Sequence, residues 1–225
     1  MSQFRDEKYV ESSLTARASG PVRFHEKADD GSREDFFFEA GLSQLVVGYS
    51  FTATDGTKVV FREPRPTDAK LFMNFINSFV TEQFSGILID SKVTLSGERR
   101  WLNGWISDIK HRKGVMLSVE MDGKIIGNCT VSRMIWKQSH RASMGIAVSK
   151  EMRGKGIGEE LMKRTIDLAR KRLRGLEMIE LSVLAYNKRA SGLYKKLGFV
   201  RVGRMPDSVK EGREYFDEFM MVRYL

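Results

Sequence analysis

One stretch limits the fold more than any other: an apolar run, Met144 to Val148, then Arg153-Gly154-Lys155-Gly156-Ile157-Gly158, then an amphipathic segment "GEELMKRTIDLARKRLRG". A strand that empties into a glycine-rich turn and a helix start leaves backbone N–H groups unpaired and aims the positive end of the helix dipole at one point. Such a turn is built for an anion, and glycines let the anion approach the chain. Two well-known versions fail on side chains. No Gly-Lys-Ser or Gly-Lys-Thr follows, as a P-loop needs, and both dinucleotide registers place Glu159 or Leu161 where a third glycine belongs. An ordinary tight connection is the alternative for a glycine turn taken alone.

The charge distribution agrees with an anionic partner. The chain of 225 residues carries a formal +9. Residues 1–57 hold 6 Lys and Arg against 10 Asp and Glu, a net −4, which leaves +13 for residues 58–225. Nucleic acid and a phosphorylated small molecule both fit such a surface. With 41% apolar and 30% charged residues the sequence reads as a soluble globular protein. No run approaches the ~20 apolar residues of a membrane span, and "MSQFRDEKYVESS" lacks the apolar centre of a secretory signal, so a cytoplasmic setting is expected and no membrane partner. One cysteine, Cys129, and three scattered histidines argue against a disulfide or a metal site. Cys129 lies in the strand-like "KIIGNCTVS" and reads as a buried, inert thiol.

The pattern along the chain is that of a mixed α/β architecture. Residues 1 to about 40 read as a poorly ordered or loosely docked extension with an apolar cluster, Phe36 to Phe38; Asp55-Gly56 turns a hairpin between "LSQLVVGYSF" and "KVVFRE". The main domain is therefore expected at 58–225, with 1–57 as an N-terminal extension whose Leu45–Phe51 segment covers a sheet edge. A helix capped by Thr67 or Asp68 buries Leu71, Phe72, Phe75, Ile76 and Phe79. A second, capped by Ser96, buries Leu102, Trp105, Ile106 and Ile109, with Trp101 at the edge of that face. A hairpin turning at Asp122-Gly123 presents Val115, Leu117 and Val119. After the glycine turn, Leu161, Met162, Ile166, Ala169 and Leu173 face inward, and Gly175 ends that helix. A strand with Ile179, Leu181 and Val183, a short helix stopped by Gly198, and two terminal strands complete the order. This succession does not give a doubly wound parallel sheet.

Two motifs in order carry a resemblance. Arg153, Gly156 and Gly158 satisfy Q/R-x-x-G-x-G/A, and Asn187, Ala190, Leu193, Tyr194, Gly198 and Phe199 satisfy a downstream N-x-x-A-x-x-L-Y-x-x-x-G-F. In this, residues 58–225 resemble the GNAT superfamily of N-acetyltransferases. The resemblance implies a mixed sheet of about six to seven strands with a V-shaped splay, flanked by about four helices. It implies acetyl-CoA as cosubstrate and no metal. Backbone groups of Ile146, Ala147 and Val148 would line the pantetheine arm, and N–H groups from Arg153 through Gly154, Lys155, Gly156, Ile157 and Gly158 to Glu159 would hold the pyrophosphate. Asn187 and Ala190 would meet the arm. Tyr194 would act as general acid on the departing thiolate, and the Val148 N–H would serve the oxyanion of a tetrahedral intermediate after direct attack by a primary amine. Glu120, Glu82, His140 or a water chain is left to take the amine's proton. The acceptor is a protein or peptide N-terminus or a small amine. A homodimer through terminal strands is an option the sequence leaves open. The competing class is a basic nucleic-acid-binding module drawing on Arg170 to Arg174 and Lys188, Arg189, Lys195 and Lys196, a reading disfavoured by the scarcity of interleaved aromatics.

Overall fold

The computed structural model describes residues 22–27, 33–38 and 48–225. Ten strands form one sheet: β1 (Val22–Lys27), β2 (Arg33–Phe38), β3 (Gly48–Thr52), β4 (Lys58–Arg62), β5 (Gly114–Met121), β6 (Lys124–Arg133), β7 (Arg141–Val148), β8 (Met178–Leu184), β9 (Val200–Glu211) and β10 (Glu214–Tyr224). Their order is β1-β2-β3-β4-β5-β6-β7-β8-β10-β9. Every neighbouring pair is antiparallel except β7 with β8. Residues 58–225 hold seven of these strands, β4 to β10, as expected, and the sheet as a whole is wider because β3, β2 and β1 add to the edge of β4. Two strands are described inside the stretch expected to be poorly ordered; the rest of it, and Leu45 to Val47, lie outside the described residues.

Four helices flank the sheet: α1 (Ala69–Asn77), α2 (Leu95–Lys110), α3 (Ile157–Arg172) and α4 (Lys188–Lys196). The α3 side gathers Val115, Leu117 and Val119 of β5 with Leu161, Met162, Ile166 and Ile179 into one core. The other side gathers Met116, Ile125 and Ala147 with Phe72, Phe75 and Leu102 from α1 and α2. β5 is buried on both faces, since helices cover both, and its apolar residues need not alternate with polar ones. Phe79, expected in the first helix, falls in the turn after it and is still buried. Trp101 is 40% exposed and meets Phe72 edge-on, as expected of a residue at the rim of its face.

Local capping departs from expectation at α2. Thr94, not Ser96, is the N-cap: its Oγ1 accepts from the Gly97 N–H at 3.2 Å. A one-turn 3-10 helix, Pro66–Asp68, precedes α1, and the Asp68 carboxylate accepts from the Arg65 N–H at 2.7 Å rather than from the helix proper. Asp68 is also held by the buried Arg62, whose guanidinium reaches Glu120 on β5. This ion cluster fixes α1 to the sheet. α4 ends in a two-bond left-handed cap: Gly198, at φ +82°, donates to Lys195 O at 3.0 Å, and Phe199 N–H donates to Tyr194 O at 2.9 Å. Phe199 is then driven into the core with its ring 6.1 Å from that of Tyr194.

Glu98 is buried, 6% exposed, and its carboxylate has no hydrogen bond or ion pair among the described residues. Burial raises its pKa above the ordinary 4.5. Ionisation then costs the fold stability as pH rises from the unfolded to the folded value, and the cost persists at all higher pH. Glu98→Gln is expected to raise the melting temperature at pH 7 and to leave it unchanged at pH 4; an equal gain at both would assign the effect to packing instead.

Candidate active site

β7 and β8 pair over only three residues, Arg141 to Ser143 against Met178 to Glu180, and then part. A parallel pair needs a long crossover, and α3 supplies it, so its N-terminus is delivered to the far end of β7, where the strands have separated. The Ser149 N–H donates to Ile126 O at 2.9 Å. By the strand period of two, odd-numbered residues of β7 bond toward β6, while Met144, Ile146 and Val148 turn their N–H and C=O groups into the gap. Ala147 has the opposite sense: its backbone faces β6 and its side chain packs below α1 and α2.

The glycine turn closes this gap at one end. Gly154 and Gly156 hold φ of +82° and +83°, left-handed values that a side chain strains. Gly156 is the N-cap of α3, so the N–H groups of Ile157, Gly158 and Glu159 have no intrahelical partner. Those of Gly154, Lys155 and Gly156 also have no partner among the described residues. The Arg153 N–H differs: it donates to Lys150 O at 3.3 Å within a 3-10 turn. Ile157 is fully buried and points into the core. Lys155 is turned away as well. Its ammonium lies 2.9 Å from Asp55, and Lys155 with Thr57 holds that carboxyl at about 2. The Thr54 N–H donates to Lys155 O at 3.1 Å, so the β3–β4 hairpin buttresses the turn from behind.

A cavity of about 480 Å³ fills the gap. Of the residues singled out from sequence, Ile146, Ala147, Val148, Arg153, Gly154, Gly156, Gly158, Glu159, Asn187, Ala190 and Tyr194 line it, whereas Lys155 and Ile157 do not. The Glu159 carboxylate is engaged by Lys196 at 2.7 Å and Lys163 at 2.9 Å, which lower its pKa. Arg153 turns its guanidinium to Val148 O, at 2.8 Å, and to Glu82, and lies 5.8 Å over the Phe79 ring. Asn187 caps α4, accepting from the Ala190 N–H at 3.0 Å, while its amide nitrogen lies 2.7 Å from where a Cβ on Gly86 would stand. The segment between α1 and α2 is therefore pinned over the gap at Glu82 and Gly86.

Tyr194 is 7% exposed, and its hydroxyl has no hydrogen-bond partner among the described residues. Burial, with the neighbouring Cys129 adding, raises its phenol well above the ordinary value of 10, so it stays protonated. Cys129 is fully buried and pushed up to about 12, an inert thiol as its strand position suggested. A second cavity, about 330 Å³, meets the first at Tyr194, Ser182, Ile146, Ala147 and residues 86–88. Tyr194 thus stands where the two spaces join.

The suggested proton acceptors are placed elsewhere. Glu120 is bound to Arg62, Glu82 to Arg153, and His140 lies exposed before β7 at the end remote from the glycine turn; none lines either cavity. Sequence reasoning placed Arg189 only in a basic run and missed its place at the glycine turn: its guanidinium lies 2.7 Å from where a Cβ on Gly154 would stand. Its place two residues after Asn187, on the first turn of the helix facing the glycine loop, was the available signal. Two members of the basic runs are paired: Arg172 with Glu63 and Lys196 with Glu159.

Residues 77–199 match the family model described as the acetyltransferase (GNAT) family. The L-amino acid N-acetyltransferase of Escherichia coli K12 is 31% identical over 121 residues, 53% of this chain and 74% of the relative. An acetyltransferase of the GNAT family from Streptococcus pneumoniae superposes with a TM-score of 0.67 at 24% identity, over 74% of this chain and 99% of that one. A protein from Salmonella typhimurium, solved with its cofactor acetyl-CoA, gives 0.65 at 20% identity, over 75% and 95%. The splayed sheet, the glycine turn at a helix start and these matches together identify the chain as a member of the GNAT family of acetyltransferases.

Proposed function

We propose that this N-acetyltransferase takes acetyl-CoA in the gap between β7 and β8 and passes the acetyl group to a primary amine in the second cavity. The observation that carries this reading is Tyr194, a buried and unpartnered hydroxyl at the junction of the two cavities. Acetyl-CoA supplies a thioester whose carbonyl carbon accepts the amine nitrogen. Everything else comes from the chain. The N–H and C=O of Ile146 offer an extended ligand the pairing that β8 does not supply, the Val148 C=O being taken by Arg153. The free N–H groups from Gly154 to Glu159, the helix dipole and Arg189 receive phosphate. Arg153 acts instead as a brace, since its own N–H and guanidinium are engaged within the protein. The Val148 N–H faces the gap and is the donor for charge developing on the acyl oxygen. Tyr194 gives its proton to the leaving sulfur, a role that needs a phenol held protonated. We place the catalytic unit at residues 58–225, with the preceding hairpin strand bracing the glycine turn through Thr54.

Three measurements test this. Thiol release from acetyl-CoA with pooled free α-amino peptides and pooled small amines is expected to require an amine; release independent of any amine would leave only hydrolysis. Gly156→Glu strains a left-handed backbone position and sets a side chain against Thr54 and Phe51 of the hairpin behind the turn, which displaces the turn's N–H groups, so acetyl-CoA binding by calorimetry should be lost while the far-UV spectrum is kept; retained affinity would remove the turn from the site. Tyr194→Phe should lower kcat by about 100-fold with little change in the KM for acetyl-CoA. An unchanged kcat would reduce Tyr194 to packing.

A further inference from the structure

The second cavity carries a statement about the acceptor, which rests on the acetyltransferase reading. Two indoles of α2 form its outer wall. Trp105 packs so closely over the start of β5 that a Cβ on Gly114 would stand 2.9 Å from its ring, which fixes the indole in place. Trp101 meets it edge-on with centroids 6.4 Å apart and is itself propped by Phe72 at 5.6 Å. Asn128 and Thr130 of β6 add neutral polar groups to the floor. Tyr194 is the single titratable side chain among the described residues around this space. Of the nearby glutamates, Glu82 is taken by Arg153 and Glu120 by Arg62, Glu159 and Glu218 line the first cavity and not this one, and the buried Glu98 of α2 lines neither.

From this lining we infer that the acceptor is a primary monoamine with an apolar or aromatic body, carrying no second ionised group beside the amine, and that Trp101 and Trp105 hold that body. An ammonium entering a cavity that gives it no carboxylate is driven to give up its proton, because it leaves hydration behind without gaining a counter-charge. The neutral nitrogen then forms its bond to the acyl carbon as the C–S bond breaks. The sulfur takes a proton from Tyr194, the nitrogen's surplus proton restores that phenol by way of solvent, and the net proton released is the one lost on entry. A free amino acid brings a carboxylate that these walls give no cation to pair with, and a polyamine brings further ammonium groups with no carboxylate. An amide next to the amine asks only for hydrogen bonds, which Asn128 and Thr130 supply. The acceptor chosen here therefore differs from that of the Escherichia coli relative, named for L-amino acids.

Thiol release from acetyl-CoA with 2-phenylethylamine, phenylalaninamide, phenylalanine and spermidine tests the inference. Phenylalaninamide and 2-phenylethylamine are expected to be good acceptors, with kcat/KM for phenylalanine and spermidine lower by roughly 100-fold. Calorimetry on the protein saturated with CoA should show the same order for binding, with no turnover involved. Trp105→Ala should raise the KM for phenylalaninamide about 10-fold and leave the Kd for acetyl-CoA unchanged. If that variant fails to fold, Trp101→Leu, at a half-exposed position, is the replacement. A peptide beginning with phenylalanine that works as well as the amide points to chain termini as the source, and the amide alone points to small amines; both support the class. Phenylalanine equal to its amide, spermidine as the best acceptor, or no acceptor among the four overturns it. Acetyl-CoA titrated alone separates the failures: without binding there the slot itself is wrong, and with binding only the acceptor assignment falls.

Discussion

The structure depends on a pairing that stops early. β7 and β8 share a ladder for three residues and then diverge, leaving the even-numbered backbone groups of β7 facing a gap. Buried N–H and C=O groups without partners are costly, so an unfinished ladder inside a sheet has to be completed by something. In this protein the open ladder meets a cavity that has the glycine turn at one end and Tyr194 at the other. The rest of the architecture keeps that gap from closing. The two cores grip the sheet from both faces, and β10 pairs with β8 along its other edge, from Met178 to Leu184.

The second constraint is a set of braces that hold loops over the gap. Arg153 binds a strand carbonyl, a glutamate from the α1–α2 segment and an aromatic face at once. Asn187 spends its oxygen on the helix cap and leaves its amide nitrogen against Gly86. Phe84 stacks edge-on with Tyr186 and Phe216, extending the contact to the strands beyond. Each brace ties the α1–α2 segment to an element across the gap: the glycine turn, the start of α4 or β10. A disturbance of either loop is therefore felt in both cavities.

Sequence and structure agree most closely where a requirement is local. The glycine turn was legible because positive φ and free N–H groups at a helix start restrict residue type within six positions. The last helix was legible for a similar reason: Asn187 caps it, Gly198 stops it, and the two-bond cap ties Tyr194 to the buried Phe199. The alternation of Val115, Leu117 and Val119, and the inward stripe of α3, gave the faces of the core. Even there local rules had limits. Ser96 and Thr94 are equally good caps by type, and the position at which α2 leaves the preceding loop decided for Thr94.

What remained hidden was everything set by distant partners. The sequence determined the order of strands and helices, the glycine turn at a helix start and the residue types at the helix ends, since these follow from propensity and backbone stereochemistry over a few residues. Only the tertiary structure decided that Arg153 is a brace, that Lys155 answers Asp55, that Arg189 lies at the turn, and that Glu120 is tied to Arg62. Salt bridges between residues tens of positions apart carry no periodic signal, because any cation can pair with any carboxylate that the fold brings near. The two tryptophans were visible as a helix face, but that they wall a cavity depends on where α2 crosses the sheet, and that crossing is fixed by the packing of both cores.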